Sequence, residues 1–218
     1  MSRGTVTRIE LTAPDATLRF DRKSDRYSHC LIANSNAQAS VLLEAVLEDP
    51  MAAWPSDPPL QQLVIEPIGD RSFPDVALGV GMSGHGHWSL AAQWIVVSGL
   101  GAPALEFDYA CKSQPPVGFV GSTYRVVEQR ELLLASQAVS PGLELKRIEF
   151  ELKNWTGWFK ELGSPSSKIV NKLSVDVLDG QLHWDSDSQQ ITIRPVGSLD
   201  KPATLRWCYR IAWIACDE

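Results

Sequence analysis

Two histidines separated by one residue, in Gly84-His85-Gly86-His87, are the side chains here with the clearest chemical option. Positions i and i+2 of an extended strand project to one side, so both imidazoles can reach one divalent metal. Glu106 or Asp108, on the next strand-like segment, would then complete the site with a carboxylate. The competing reading makes His85 and His87 ordinary residues of a hairpin turn. Metal-free contact with a ligand is a third use for them.

The run Gly79-x5-His85-x-His87 resembles the opening of the first motif of the cupins, all-β barrels that hold a metal with two His, a Glu and a later His. The resemblance spans nine residues and implies a metal-dependent enzyme using His85 and His87. A cupin carries its Glu four or five residues after the second His, where this chain has Ala91 and Ala92, with Gln93 one later. The second cupin motif has no counterpart, and His183 is the sole downstream His.

A second group is polar: His87, Ser89, Gln93, Glu106, Asp108 and Arg125 share a face if their three strands are neighbours. That face is either a solvated exterior or the lining of a polar cavity. Glu106 and Asp108, two apart on a strand, sit about 7 Å from each other, which selects no particular reaction.

Tryptophans form a third group. Trp88, Trp94, Trp184, Trp207 and Trp213 occupy core-like positions in strands, where one aromatic buries a large area. Trp54, Trp155 and Trp158 lie in irregular segments. There, a large aromatic needs the end of a barrel, a ligand or a partner to cover it. No G-x-S-x-G, P-loop or dinucleotide glycine pattern accompanies any of these.

The elements that must position these groups read as strands. Leu105, Phe107, Tyr109 and Cys111 alternate with Glu106, Asp108 and Lys112, and Trp88, Leu90, Ala92 and Trp94 alternate with His87, Ser89, Ala91 and Gln93. Between Val76 and Met82 one face is bulky and the other, Ala77, Gly79 and Gly81, nearly bare, which invites a close approach to the backbone. A hairpin at Pro14-Asp15 opens the chain, and Tyr27–Ala33 is a third strand. Asn34-Ser35-Asn36 offers caps for a short helix over Ala37–Leu47, because Val41, Leu42, Ala45 and Val46 recur at a helical interval. The proline-rich stretch 50–59 is a loop.

Further on, the apolar parity changes between Leu145 and Ile148, predicting a bulge near Lys146-Arg147. Asp179-Gly180 reads as a tight turn between two paired strands, and Asp185-Ser186-Asp187-Ser188 as another. Thr204–Ala215 is a closing strand. About twelve strands and one short helix result, and no shift in composition divides the 218 residues. The expected fold is a single all-β domain over 1–218, either an antiparallel β-barrel or a two-sheet β-sandwich.

Totals narrow the function. A formal net charge of −6 with no long basic run excludes a nucleic-acid surface. No apolar run reads as a leader or a membrane span, so a cytoplasmic protein is expected. Four widely spaced cysteines, at 30, 111, 208 and 216, suit buried free thiols in a reducing compartment. The reading that follows is a binding or interaction protein with a ligand cavity at one end of the barrel. Its candidate contacts are His87, Gln93, Glu106, Asp108, Arg125, Trp54, Trp155 and Trp158, with a small apolar or mixed-polarity ligand or a protein as partner. No cofactor is expected unless a divalent metal sits at His85 and His87. Exposed sheet edges make a homo-oligomer a further option.

Overall fold

The computed structural model describes residues 7–14, 16–34, 39–47, 49, 52–97, 103–115, 117–127, 146–152 and 169–217. Trp155, Trp158 and residues 143–145, which precede the expected bulge, lie outside them. Among the described residues there are fourteen strands: β1 (Arg8–Ala13), β2 (Ala16–Lys23), β3 (Arg26–Asn34), β4 (Ala39–Ala45), β5 (Gln62–Glu66), β6 (Val76–Ser83) and β7 (Gly86–Val96), then β8 (Pro103–Ser113), β9 (Ser122–Val126), β10 (Arg147–Leu152), β11 (Ile169–Asp179), β12 (Gln181–Asp185), β13 (Gln190–Arg194) and β14 (Ala203–Asp217). They form two antiparallel seven-stranded sheets. Sheet A runs β1-β2-β3-β4-β9-β13-β12, and sheet B runs β10-β11-β14-β8-β7-β6-β5. Among the described residues each sheet ends in two edge strands, so the architecture is a sandwich and the barrel is not closed.

Alternation decides which residues meet between the sheets. Leu11, Leu18, Phe20, Leu43, Tyr124 and Ile191 from sheet A, and Trp88, Trp94, Phe107, Tyr109, Trp207 and Tyr209 from sheet B, belong to one buried cluster. In β8 and β14 the direct cross-strand partners are Phe107 with Tyr209 and Tyr109 with Trp207. Their rings stack with centroids 5.0 and 5.1 Å apart. Such pairs add specific stabilisation beyond the area they bury. Two indoles also cross the gap: Trp94 Nε1 donates to the Leu11 carbonyl at 3.0 Å and Trp207 Nε1 donates to Ser122 Oγ at 3.1 Å.

Two local expectations are corrected. Residues Ala39–Ala45, expected as part of a helix, form β4. Leu31 pairs with Leu43 but Ile32 pairs with Val41, so Leu42 is the extra residue of a bulge. The bulge buries both Leu42 and Leu43. It breaks the two-residue period and imitates a helical interval, while pairing with β3 and β9 overrides the propensity of Ala, Leu and Glu.

The second correction concerns Asp179-Gly180, which does not join two paired strands. β11 pairs with β10 and β14 in sheet B, whereas β12 pairs with β13 in sheet A, so the chain changes sheets at this corner. Gly180 has φ +120°, and a Cβ there would lie 2.6 Å from the Arg194 carbonyl oxygen. Both facts demand glycine.

The close approach expected at the bare face of β6 is present, and that face turns inward. Val80 and Met82 are exposed, while Gly81 is buried. The loop before β5 crosses it: Tyr27 N–H donates to the Leu60 carbonyl at 2.7 Å, and Gln61 N–H donates to the Val80 carbonyl at 2.9 Å. A Cβ on Gly81 would stand 1.8 Å from the Pro59 carbonyl oxygen. Gly81→Ala is therefore expected to push this loop off the sheet and cost about 1–3 kcal/mol in urea unfolding. Val80→Ala, on the open side of the same strand, should stay within about 0.5 kcal/mol of the parent.

Candidate functional site

The expected polar face is real only in part. β7 and β8 are neighbours and place His87, Ser89, Gln93, Glu106 and Asp108 on the outward side of sheet B, opposite the buried Trp88, Leu90, Phe107 and Tyr109. Arg125 is elsewhere: it lies on β9, in sheet A. The carboxylates face strand β14. Arg210 donates through Nε to Glu106 at 2.8 Å, Arg206 donates through Nη2 to Asp108 at 2.8 Å, and Gln93 Nε2 reaches Glu106 at 3.4 Å. These are ion pairs of a solvated sheet exterior, each of small energetic weight.

His85 and His87 are both exposed at the β6–β7 turn. The residue beside His87 on β8 is Lys112, whereas Asp108 is opposite Ala91, four residues along the strand. That offset amounts to about 13 Å, too far for a shared ion. Among the described residues no group of three or more His, Cys, Asp or Glu stands close enough to hold a metal. Trp54 is half-buried, its ring 5.5 Å from that of Trp88, and serves as a flap on the core.

Arg125 instead helps to line a hollow of about 320 Å³ at one end of sheet A, with Lys23, Ser24, Glu44, Ala45, Val46 and Leu47. The β2–β3 turn builds one wall, and Ser24 takes φ 62° there. Glu44 and Arg125 are direct cross-strand partners on β4 and β9, and Lys23 Nζ stands 3.6 Å from Glu44 Oε1. Two cations thus surround one carboxylate, beside an apolar wall from Ala45, Val46 and Leu47. A second hollow of about 350 Å³, at the corner near Gln181 and Arg194, has one cation, and that guanidinium lies over the Phe119 ring at 5.1 Å.

Inside the sandwich runs a polar chain that alternation did not disclose. His29 Nε2 and the Tyr124 hydroxyl are 2.7 Å apart, and the Tyr124 and Tyr209 hydroxyls share a hydrogen bond of 2.5 Å. Asp57, from the loop between β4 and β5, brings Oδ2 to 3.6 Å from His29 Nδ1, and its Oδ1 has no hydrogen-bond partner. His29 and Asp57 are both essentially inaccessible. Burial lowers the His29 pKa from 6.5 to about 3 and raises that of Asp57 well above 3.8. Burial likewise raises the pKa of the Tyr124 and Tyr209 hydroxyls. One sequence cue existed: tyrosines at core positions of strands need a partner for each hydroxyl.

Comparison with protein-family models, with curated proteins and with solved structures found no match. Among the described residues no helix is long and apolar enough to cross a membrane.

Proposed function

We propose that this protein is a binding protein whose site is the hollow of Lys23, Glu44 and Arg125, and whose ligand is a small carboxylate with a short apolar body. The observation that carries this reading is the lining itself. Two cations against a single carboxylate leave an excess positive charge, and the remaining side chains nearby are aliphatic. A volume of about 320 Å³ lies at the small end of ligand pockets, which suits a molecule of few heavy atoms. Nothing in the lining is a nucleophile with a positioned base, so binding is favoured over turnover.

Titration calorimetry with straight-chain aliphatic monocarboxylates tests the reading. Saturable binding is expected, weakened at least tenfold by Arg125→Ala through loss of a charge-assisted hydrogen bond worth about 1.5–3 kcal/mol. Arg125 is exposed, so the variant should keep the parent melting curve. Heat signals that do not saturate, or an affinity indifferent to both Arg125→Ala and Lys23→Ala, would discard the proposal.

A further inference from the structure

Four strands end the two sheets, and they are not alike. On their outward sides β1 carries Arg8 and Glu10, β10 carries Arg147 and Glu149, and β12 carries His183 and Asp185. Charges on an edge strand discourage another chain from adding to it. β5 is the exception, presenting Gln62, Val64 and Glu66. Among the described residues it is strand-paired on one side only, to β6.

Its neighbourhood is apolar. Val64 is 51% exposed and pairs with Leu78, while Val80 and Met82, farther along the same outward face, are 50% and 54% exposed. Water-facing valines and a methionine beside an open edge form a patch that burial would stabilise.

We propose that β5 pairs with β5 of a second copy of this chain, antiparallel about a two-fold axis through Val64, to make one continuous sheet across the dimer. The register argues for a second copy. An antiparallel pair centred on Val64 sets valine against valine and Gln62 against Glu66 of the other chain, twice by symmetry. No like charges oppose each other, and each amide has a carboxylate to donate to. The other three edges, each with two charged or titratable outward residues, offer no comparable apolar centre. The hollow at Arg125 lies in the other sheet, so this inference does not depend on the ligand-binding reading.

Sedimentation velocity of the full chain from about 1 to 300 µM tests it, a range that covers dissociation constants typical of weak dimers. The parent protein should shift from monomer to dimer with concentration. Val64→Lys should raise the dissociation constant at least tenfold, because two lysines then meet at the axis. Gln62→Lys should lower it about fivefold by creating two Lys–Glu pairs, and Gln62→Glu should raise it. These side chains point to solvent, so circular dichroism melts should match the parent. A monomer at every concentration overturns the proposal. So does a dimer indifferent to Val64→Lys, and so does Gln62→Lys weakening the association.

Discussion

Trp207→Ala is expected to lower the unfolding free energy by about 3–5 kcal/mol. The side chain is fully buried. It stacks on Tyr109 with rings tilted by only 8°, and its Nε1 donates to Ser122 on the opposite sheet. Alanine removes the stack, leaves a cavity and takes the indole donor from buried Ser122. Trp207→Phe separates these effects: it keeps much of the volume but not the donor, and should cost about 1–3 kcal/mol, the penalty for a buried Ser122 oxygen that loses its indole donor. Urea titrations of the parent and both variants measure the differences. A Trp207→Ala variant within 1 kcal/mol of the parent would mean that the two sheets do not pack as described.

The second large effect is a dependence of stability on pH set by Asp57 and His29. Unfolded, the pair carries a proton on His29 below pH 6.5 and a second on Asp57 only below 3.8. Folded, burial depresses His29 to about 3 and raises Asp57 well above 3.8, so the proton the pair holds in acid belongs to the carboxyl rather than the imidazole.

Taken singly, the raised Asp57 favours folding most below pH 3.8 and loses that contribution as pH climbs toward its folded value. The depressed His29 favours folding above pH 6.5 and loses its contribution as pH falls toward 3. From 3.8 up to the folded value of Asp57 its term lowers stability as pH rises, while between 3 and 6.5 the His29 term raises it, each by up to about 1.4 kcal/mol per pH unit. Asp57→Asn removes the retained proton. The parent should therefore lose stability relative to this variant as pH rises above 3.8, by up to about 1.4 kcal/mol per pH unit until the folded carboxyl ionises. Parallel curves for the two proteins across that interval would refute the account.

What alternation made legible is the direction in which side chains face. In β7, β8 and β14 the residues expected inside, Trp88, Trp94, Phe107, Tyr109 and Trp207, are buried. What it left dark is adjacency. Period two cannot say that β9 joins β4 and β13, so Arg125 was grouped with Glu106 and Asp108, from which it is separated by a whole sheet. Nor can it distinguish a corner from a hairpin, and Asp179-Gly180 serves the first while resembling the second. At Leu42 a single bulged residue shifted the phase enough to mimic another secondary structure. His29 and Asp57 were missed for a related reason: one sits in an apolar strand and the other in a proline-rich loop, and only the folded chain brings them together.

The position of β14, between β11 and β8, has a kinetic corollary. Residues 203–217 complete the middle of sheet B, so β5 through β8 and the β10–β11 pair remain two unjoined fragments until that stretch has emerged from the ribosome. Both fragments then hold open seams during synthesis, at β8 and at β11. Closure by a strand so remote in the chain belongs to the slow, millisecond-to-second class of β assembly, and the waiting seams are where misassociation of nascent chains would begin.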